Sequence, residues 1–293
     1  MKDEQASSTA LLIAASLVFM HEHELYPDAV SDLAADLSTR VLQEHSRKSR
    51  FFLRLLRRRW FRAAAEAIER ATVPGILRHY AMRKQCIARL AHESVRNEIR
   101  QVVVLGAGFD ALALRLHNEF PDAQIWEVDH PATQRHKKAA LGTVDRSRFH
   151  FLDANLSAAD LGKQLSALPN FRSDHKTLWI AEGLLMYFPT PIVMNLFKQT
   201  QQISAPSSRF IFTFMEPDSK GRVRFRSQTK LVDLWLRFQG EPFRWGIKRE
   251  SVEELISPWR VIRIYDESDL RKLGSQPPQA TLAAGELICL AEN

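Results

Sequence analysis

Apolar residues recur at helical spacing through the first 95 or so positions, predicting helices near residues 7–20, 28–45, 47–71 and 76–94, with Pro74-Gly75 separating the last two. The pattern then changes. Short apolar runs at 101–105, 123–128, 147–152, 176–181 and 208–215 alternate with helical stretches, which predicts an α/β fold with a parallel sheet and helices on both faces. After Pro217 a basic and aromatic stretch carries a helix near 226–238 and then the loop GEPFRWG, Gly240 to Gly246. Runs at 259–265 and 286–291 suit an antiparallel pair at the sheet edge, and Pro277-Pro278 marks a loop. The expected organisation is an N-terminal helical extension or cap over 1–95 and a sheet domain over 96–293 with an insertion at about 217–250. At 293 residues the chain is long enough for one large core plus that extension.

The clearest chemistry lies in QVVVLGAGFD at 101–110 and IWEVDHP at 125–131. A strand buried on both faces runs into Gly106-Ala107-Gly108, where glycine permits a sharp turn and close approach to a ligand; a helix from near Asp110 then aims its amide groups at that ligand. About 20 residues on, a second strand ends in Asp129, placed to accept both hydroxyls of a ribose. This order of elements describes a nucleoside cofactor site. Gly106, Gly108 and Ala111 also satisfy the Gly-Xaa-Gly-Xaa-Xaa-Gly/Ala pattern, so an NAD-dependent oxidoreductase is the alternative. Asp110 argues against it, since a carboxylate at the helix mouth repels a pyrophosphate but pairs with a cationic amino-acid head group. Glu182 closes another apolar strand before Gly183, at the sheet edge where ligands bind. Structural explanations compete: Asp129 could cap the helix that begins at Pro131, Asp153 could be a turn acid, and Arg83 a surface helix residue.

WIAEGLLMYF at 179–188, together with QVVVLGAGFD and with EVDHP followed by Lys137-Lys138, resembles the leucine carboxyl methyltransferase family. The likeness runs from about Ser8 to the end and is greater to the bacterial branch of polyketide-type O-methyltransferases than to the protein phosphatase methyltransferases. It implies a Rossmann-like class I fold and S-adenosylmethionine as cofactor. By resemblance Asp129 holds the ribose, Asp153 and Ala154 border the adenine, Glu182 lies beside the methionine end, and Arg83 in HYAMRK grips the methionine carboxylate. Gly106, Gly108 and Asp110 complete the expected cofactor set. One departure stands out: relatives show Asp-Thr-Arg after the glycines where this chain has Asp110-Ala111-Leu112, with Arg115 a candidate substitute one turn later.

The expected reaction is O-methylation of a carboxylate or hydroxyl on a small, polyketide-like molecule, with a protein C-terminus as a lesser option. Methyl transfer from a sulfonium chiefly demands alignment and exclusion of water, and a carboxylate acceptor needs no general base. No catalytic residue is assigned; Tyr187 and His130 are the nearest candidates. The helices before Arg83 and the segment from Asp218 to Gly246 are expected to cover the acceptor.

Charge adds one feature. The net +7 is concentrated in RKSRFFLRLLRRRWFR at 47–62, which holds eight basic residues and no acid, so the remainder is close to neutral and a general nucleic-acid surface is not expected. As one helix the segment would set Phe52, Leu53, Leu56 and Trp60 against Arg50, Arg54, Arg57, Arg58 and Arg62. It is then either a solvated helix capping the domain or a contact for an anionic membrane or acidic partner, and a non-catalytic adaptor on a methyltransferase fold is the corresponding functional alternative. Cys86 and Cys289 lack metal or redox spacing, so no metal and a cytoplasmic location are expected. The apolar run Thr9–Met20 follows Lys2-Asp3-Glu4, is too short to span a bilayer and reads as a buried helix.

Overall fold

The computed structural model describes residues 7–273 and 280–293. Five helices come first: α1 (Ser8–Glu22), α2 (Asp32–His45), α3 (Arg47–Leu56), α4 (Arg59–Thr72) and α5 (Ile76–Arg96). Strand and helix then alternate through β1 (Gln101–Leu105), α6 (Leu112–Glu119), β2 (Gln124–Asp129), α7 (Pro131–Leu141), β3 (Phe149–Asp153), α8 (Leu161–Ser166), β4 (Thr177–Ala181), α9 (Thr190–Gln202) and β5 (Arg209–Met215). The chain closes with α10 (Lys230–Gln239), α11 (Val252–Ile256), β6 (Arg260–Tyr265), α12 (Glu267–Arg271) and β7 (Glu286–Glu292). The loop expected at Pro277-Pro278 and the Lys2-Asp3-Glu4 start lie outside the described residues.

The strands form one sheet in the order β3-β2-β1-β4-β5-β7-β6. The first five are parallel, and β7 lies antiparallel between β5 and β6. The tail strands are therefore an antiparallel pair, but β7 is the inner member because its residues Leu287–Ala291 are all buried whereas β6 leaves Arg260, Ile262 and Arg263 exposed. The sheet separates two cores. Val102 and Val104 face α1, α2, α5, α6 and α7, whereas Val103 and Leu105 face α8, α9 and α11, so the continuous apolar run of β1 is explained by burial on both sides. Trp179, buried on the second side, satisfies its indole by donating to Ser204 Oγ at 2.8 Å.

The helices before β1 share the first of these cores. Ala14, Leu17 and Met20 of α1 and Ile87 and Val95 of α5 belong to the cluster that contains Val102 and Val104. The single helix expected over 47–71 is instead two, broken where Arg58 takes extended backbone angles between α3 and α4. The turn lets Leu53 and Leu56 from one helix and Phe61 and Ala65 from the other reach the same core, which one straight rod would not. The helix expected at 226–238 starts only at Lys230, after Phe225 is buried.

Because α1 is part of this core, Met20→Ala should cost about 2–5 kcal/mol in denaturant unfolding, while Leu12→Ala on its exposed side should cost under about 0.5 kcal/mol. Negligible losses for both would mean that α1 detaches without disturbing the sheet.

Candidate functional site

The strand order reverses at β1, which pairs with β2 on one side and β4 on the other, and a cavity of about 290 Å³ opens at the carboxyl ends of these strands. The cavity brings together Gly106, Gly108 and Asp110 from the turn after β1, Asp129 from the end of β2, Ala154 after β3, Glu182 after β4, and Arg83 from α5. Gly106 and Gly108 have φ of +62° and +51°. The left-handed φ is what favours glycine at Gly106; a Cβ there would also press on a Leu184 methyl 2.5 Å away, which can turn aside. Two backbone amides hold Asp129: Gly108 N–H donates to its Oδ2 at 2.5 Å and His130 N–H to its Oδ1 at 2.6 Å. Burial raises its pKa against these two bonds. The carboxylate is thereby fixed with lone pairs to spare, a fit for two ribose hydroxyls.

Arg83 sits deeper than a surface helix residue. Its Nη1 donates to Glu286 Oε2 at 2.8 Å and Oε1 at 3.0 Å, and its Nε donates to Glu182 Oε1 at 3.0 Å. Burial lowers the guanidinium pKa, but Glu286 and Glu182 outweigh it and raise it overall. The neighbouring Lys84 donates to Glu182 Oε1 at 3.1 Å and also to Asp110. Lys84, Glu286 and His79, whose Nε2 meets Glu286 Oε2 at 2.8 Å, are members of this network that the sequence did not reveal. Lys84 had a signal in its adjacency to Arg83. Glu286 had none, because a lone acid before an apolar strand carries no spacing. Two cations and two carboxylates thus border the cavity at Arg83, Lys84, Asp110 and Glu182, chemistry complementary to the zwitterionic end of an amino acid.

Other expected residues are placed differently. Asp153 is outside the cavity lining and pairs with Lys138 at 2.6 Å, whereas its neighbours Ala154, Asn155 and Leu156 line the wall. Arg115 pairs with Glu119 at 2.8 Å on the surface and does not line the cavity, so it does not stand in for the missing arginine. Lys137 is wholly buried: Nζ donates to Glu127 Oε1 and to the Asp110 carbonyl, each at 2.6 Å. This strut fixes the exit of the glycine turn. Burial pushes Glu127 up to about 7 despite Lys137 beside it.

The roof comes from distant parts of the chain. Ser8 Oγ donates to Gln239 Oε1 at 2.9 Å and Thr9 N–H to Glu241 Oε2 at 3.0 Å, clasping the start of α1 to the segment after α10. Ile13 and Leu17 of α1, Phe188 and Arg244 line the same cavity. Tyr187 and His130 line it too. Burial raises the Tyr187 pKa, so its phenol stays protonated at neutral pH. Among the described residues no group of three or more His, Cys, Asp or Glu side chains is arranged to hold a metal ion.

A sheet with an antiparallel seventh strand and a glycine turn, opening on a cavity bordered by Asp129 and paired charges, defines a class I S-adenosylmethionine-dependent methyltransferase. The NAD alternative fails on the sheet, since a dinucleotide fold runs 3-2-1-4-5-6 with no such inserted strand. Residues 11–201 match the leucine carboxyl methyltransferase family, and the chain belongs to it. A Mycobacterium bovis (strain BCG / Pasteur 1173P2) protein, a candidate S-adenosyl-L-methionine-dependent methyltransferase, is 28% identical over 207 residues, which cover 66% of each chain. The present chain thus spans about two thirds of that relative's length. Among solved structures, a DUF574 family protein from Streptomyces avermitilis MA-4680 superposes with a TM-score of 0.60 at 12% identity, covering 91% of this chain and 99% of its own. A candidate methyltransferase from Thermobifida fusca YX gives 0.58 at 15% identity, covering 88% and 93%. Both likenesses concern the fold.

Two outcomes test this geometry. Asp129→Ala should weaken S-adenosylhomocysteine binding by about 1.5–3 kcal/mol in calorimetry with the fold intact, and unchanged affinity would remove the ribose assignment. Glu286 is pulled down to about 2, where Arg83 and His79 overcome the upward push of burial. A depressed carboxylate stabilises the fold above its ordinary range and loses that contribution as pH falls. Glu286→Gln should therefore abolish roughly 3 kcal/mol of acid destabilisation between about pH 5 and about pH 2. An identical pH slope in the variant would mean that Arg83 does not hold this carboxylate.

Proposed function

We propose that the protein transfers the methyl group of S-adenosylmethionine to a carboxylate oxygen of a small, polyketide-type acid. The observation that carries this reading is Arg244, an exposed guanidinium at the rim of the cavity that has no ion-pair partner among the described residues. An anionic acceptor would meet Arg244 at one end and the apolar wall of Ile13, Leu17 and Phe188 along its length. The clasp over the cavity favours a small molecule over a protein C-terminus. The intact cofactor groups favour an enzyme over a decayed adaptor.

In this reading Asp129 orients the ribose and the Ala154–Leu156 segment borders the adenine. Arg83 and Lys84 face the methionine carboxylate, and Glu182 and Asp110 face the ammonium. S-adenosylmethionine supplies an electrophilic methyl on a sulfonium. The acceptor oxygen forms its bond to that carbon as the carbon–sulfur bond breaks, the electron pair returns to sulfur, and no proton moves. A carboxylate is already anionic, which agrees with a site whose buried phenol stays protonated and whose inner acids are engaged by Lys84 and Arg83. A reducing, cytoplasmic setting fits two buried, free cysteines.

The test is a panel of apolar acids and matched alcohols and phenols, with methyl esters detected by mass spectrometry. Acids should be methylated and alcohols should not. Arg244→Gln should raise the acceptor KM about tenfold, corresponding to roughly 1.4 kcal/mol, with S-adenosylhomocysteine affinity unchanged. Methylation confined to hydroxyls, or an unmoved KM, would overturn the carboxylate assignment. At the other end of the cofactor, Lys84→Met should weaken S-adenosylmethionine more than adenosine. Equal losses for both ligands would make Lys84 a structural residue only.

A further inference from the structure

We propose that the hairpin of α3 and α4 is a docking surface for anionic lipid bilayers. Ion pairs engage only two of the eight basic residues at 47–62 among the described residues, Arg57 with Glu22 at 2.8 Å and Arg62 with Glu66 at 2.9 Å. Arg47, Lys48, Arg50, Arg54, Arg58 and Arg59 are exposed and carry no ion pair there. Concentrating like charge on one hairpin opposes folding through self-repulsion, whereas an apposed anionic surface would relieve it.

Charge alone would suit any polyanion, but this surface also exposes large apolar groups. Phe51 is 62% exposed, Trp60 63% and Ile68 60%. No residue of α4 is buried. The exposed aromatics are nonetheless held in place: Phe52 and Trp60 meet Phe61 at ring-centroid distances of 5.7 and 5.9 Å, and Phe61 meets Phe19 of α1 at 6.4 Å. A braced aromatic ridge bordered by arginines matches a headgroup layer, into which Trp and Phe insert while guanidinium groups pair with lipid phosphates. A nucleic-acid duplex would meet the cations but keeps its bases inside, and a single strand could stack bases on the rings but would leave the aliphatic Ile68 uncovered. No helix among the described residues is long and apolar enough to cross a membrane, so the contact is peripheral.

The experiment is vesicle flotation of the full chain with pure phosphatidylcholine and with phosphatidylcholine containing about one third phosphatidylglycerol, at low and high salt. The wild type should float only with the anionic vesicles and should be released by salt. Replacing Arg54, Arg58 and Arg59 with Gln should weaken binding at least about tenfold. Trp60→Ala should weaken it as well, and S-adenosylhomocysteine affinity should be unchanged in both, showing an intact fold. The proposal is overturned if the wild type fails to float with anionic vesicles at low salt, if it floats equally with neutral ones, or if Trp60→Ala binds as well as the wild type. Retention on heparin or RNA without flotation would also overturn it and make the hairpin a general polyanion site.

Discussion

A buried charge network joins the N-terminal helices to the sheet, and the cofactor cavity depends on it. Arg83 and Lys84, successive residues of α5, reach Glu286 at the start of β7, Glu182 after β4 and Asp110 after β1. Taking these ions out of water is unfavourable unless each keeps a partner, so no member can move without stranding another. The network therefore specifies where α5 lies relative to three separate strand ends. Two of those strand ends, after β1 and after β4, are walls of the cavity.

The same arrangement has a chemical consequence. Arg83 and Lys84 are matched at the cavity wall by Glu182 and Asp110, while Glu286 lies behind Arg83 and outside the lining. Held within a few ångströms of one another in a poorly solvated place, these four charges balance in opposite-signed pairs. The glycine turn is set by a second buried pair on the far side, Lys137 with Glu127, which clamps the Asp110 carbonyl. The sheet thus holds the turn from below while Lys84 holds the Asp110 side chain from above.

The parts of this structure that were legible in the sequence are those governed by short-range rules. The β1 turn and Asp129 are separated by one strand–helix–strand unit, whose length is fixed by the fold, so their meeting could be read from spacing. Glu182 was legible because it ends an apolar run beside a glycine. Lys84 and Glu286 were not, since their partnership spans from α5 to the last strand and leaves no local pattern. The break at Arg57-Arg58 was hidden for another reason: both halves are good amphipathic helices, and only the position of Phe19 and the core explains why the chain turns between them. Asp153 shows the limit of reading an acid by position alone, because Lys138 draws its side chain to the rim while its backbone continues into the cavity wall.

The two sides of the cavity are built differently. One side is built from strand ends, whose geometry the sheet fixes, whereas the roof is built from α1 and the segment after α10. These two elements are separated by more than 200 residues and clasped by Ser8, Thr9, Gln239 and Glu241. Ile13 only lines this roof, whereas Leu17 both lines it and packs with Met20 and Phe19 in the first core, so the roof is tied to the packing beneath it. The lining of the roof is therefore set by residues that no sheet rule constrains. In the same helix α1, Phe19 touches Phe61 of the aromatic ridge, so the element that roofs the cavity is also the one on which the basic hairpin is braced.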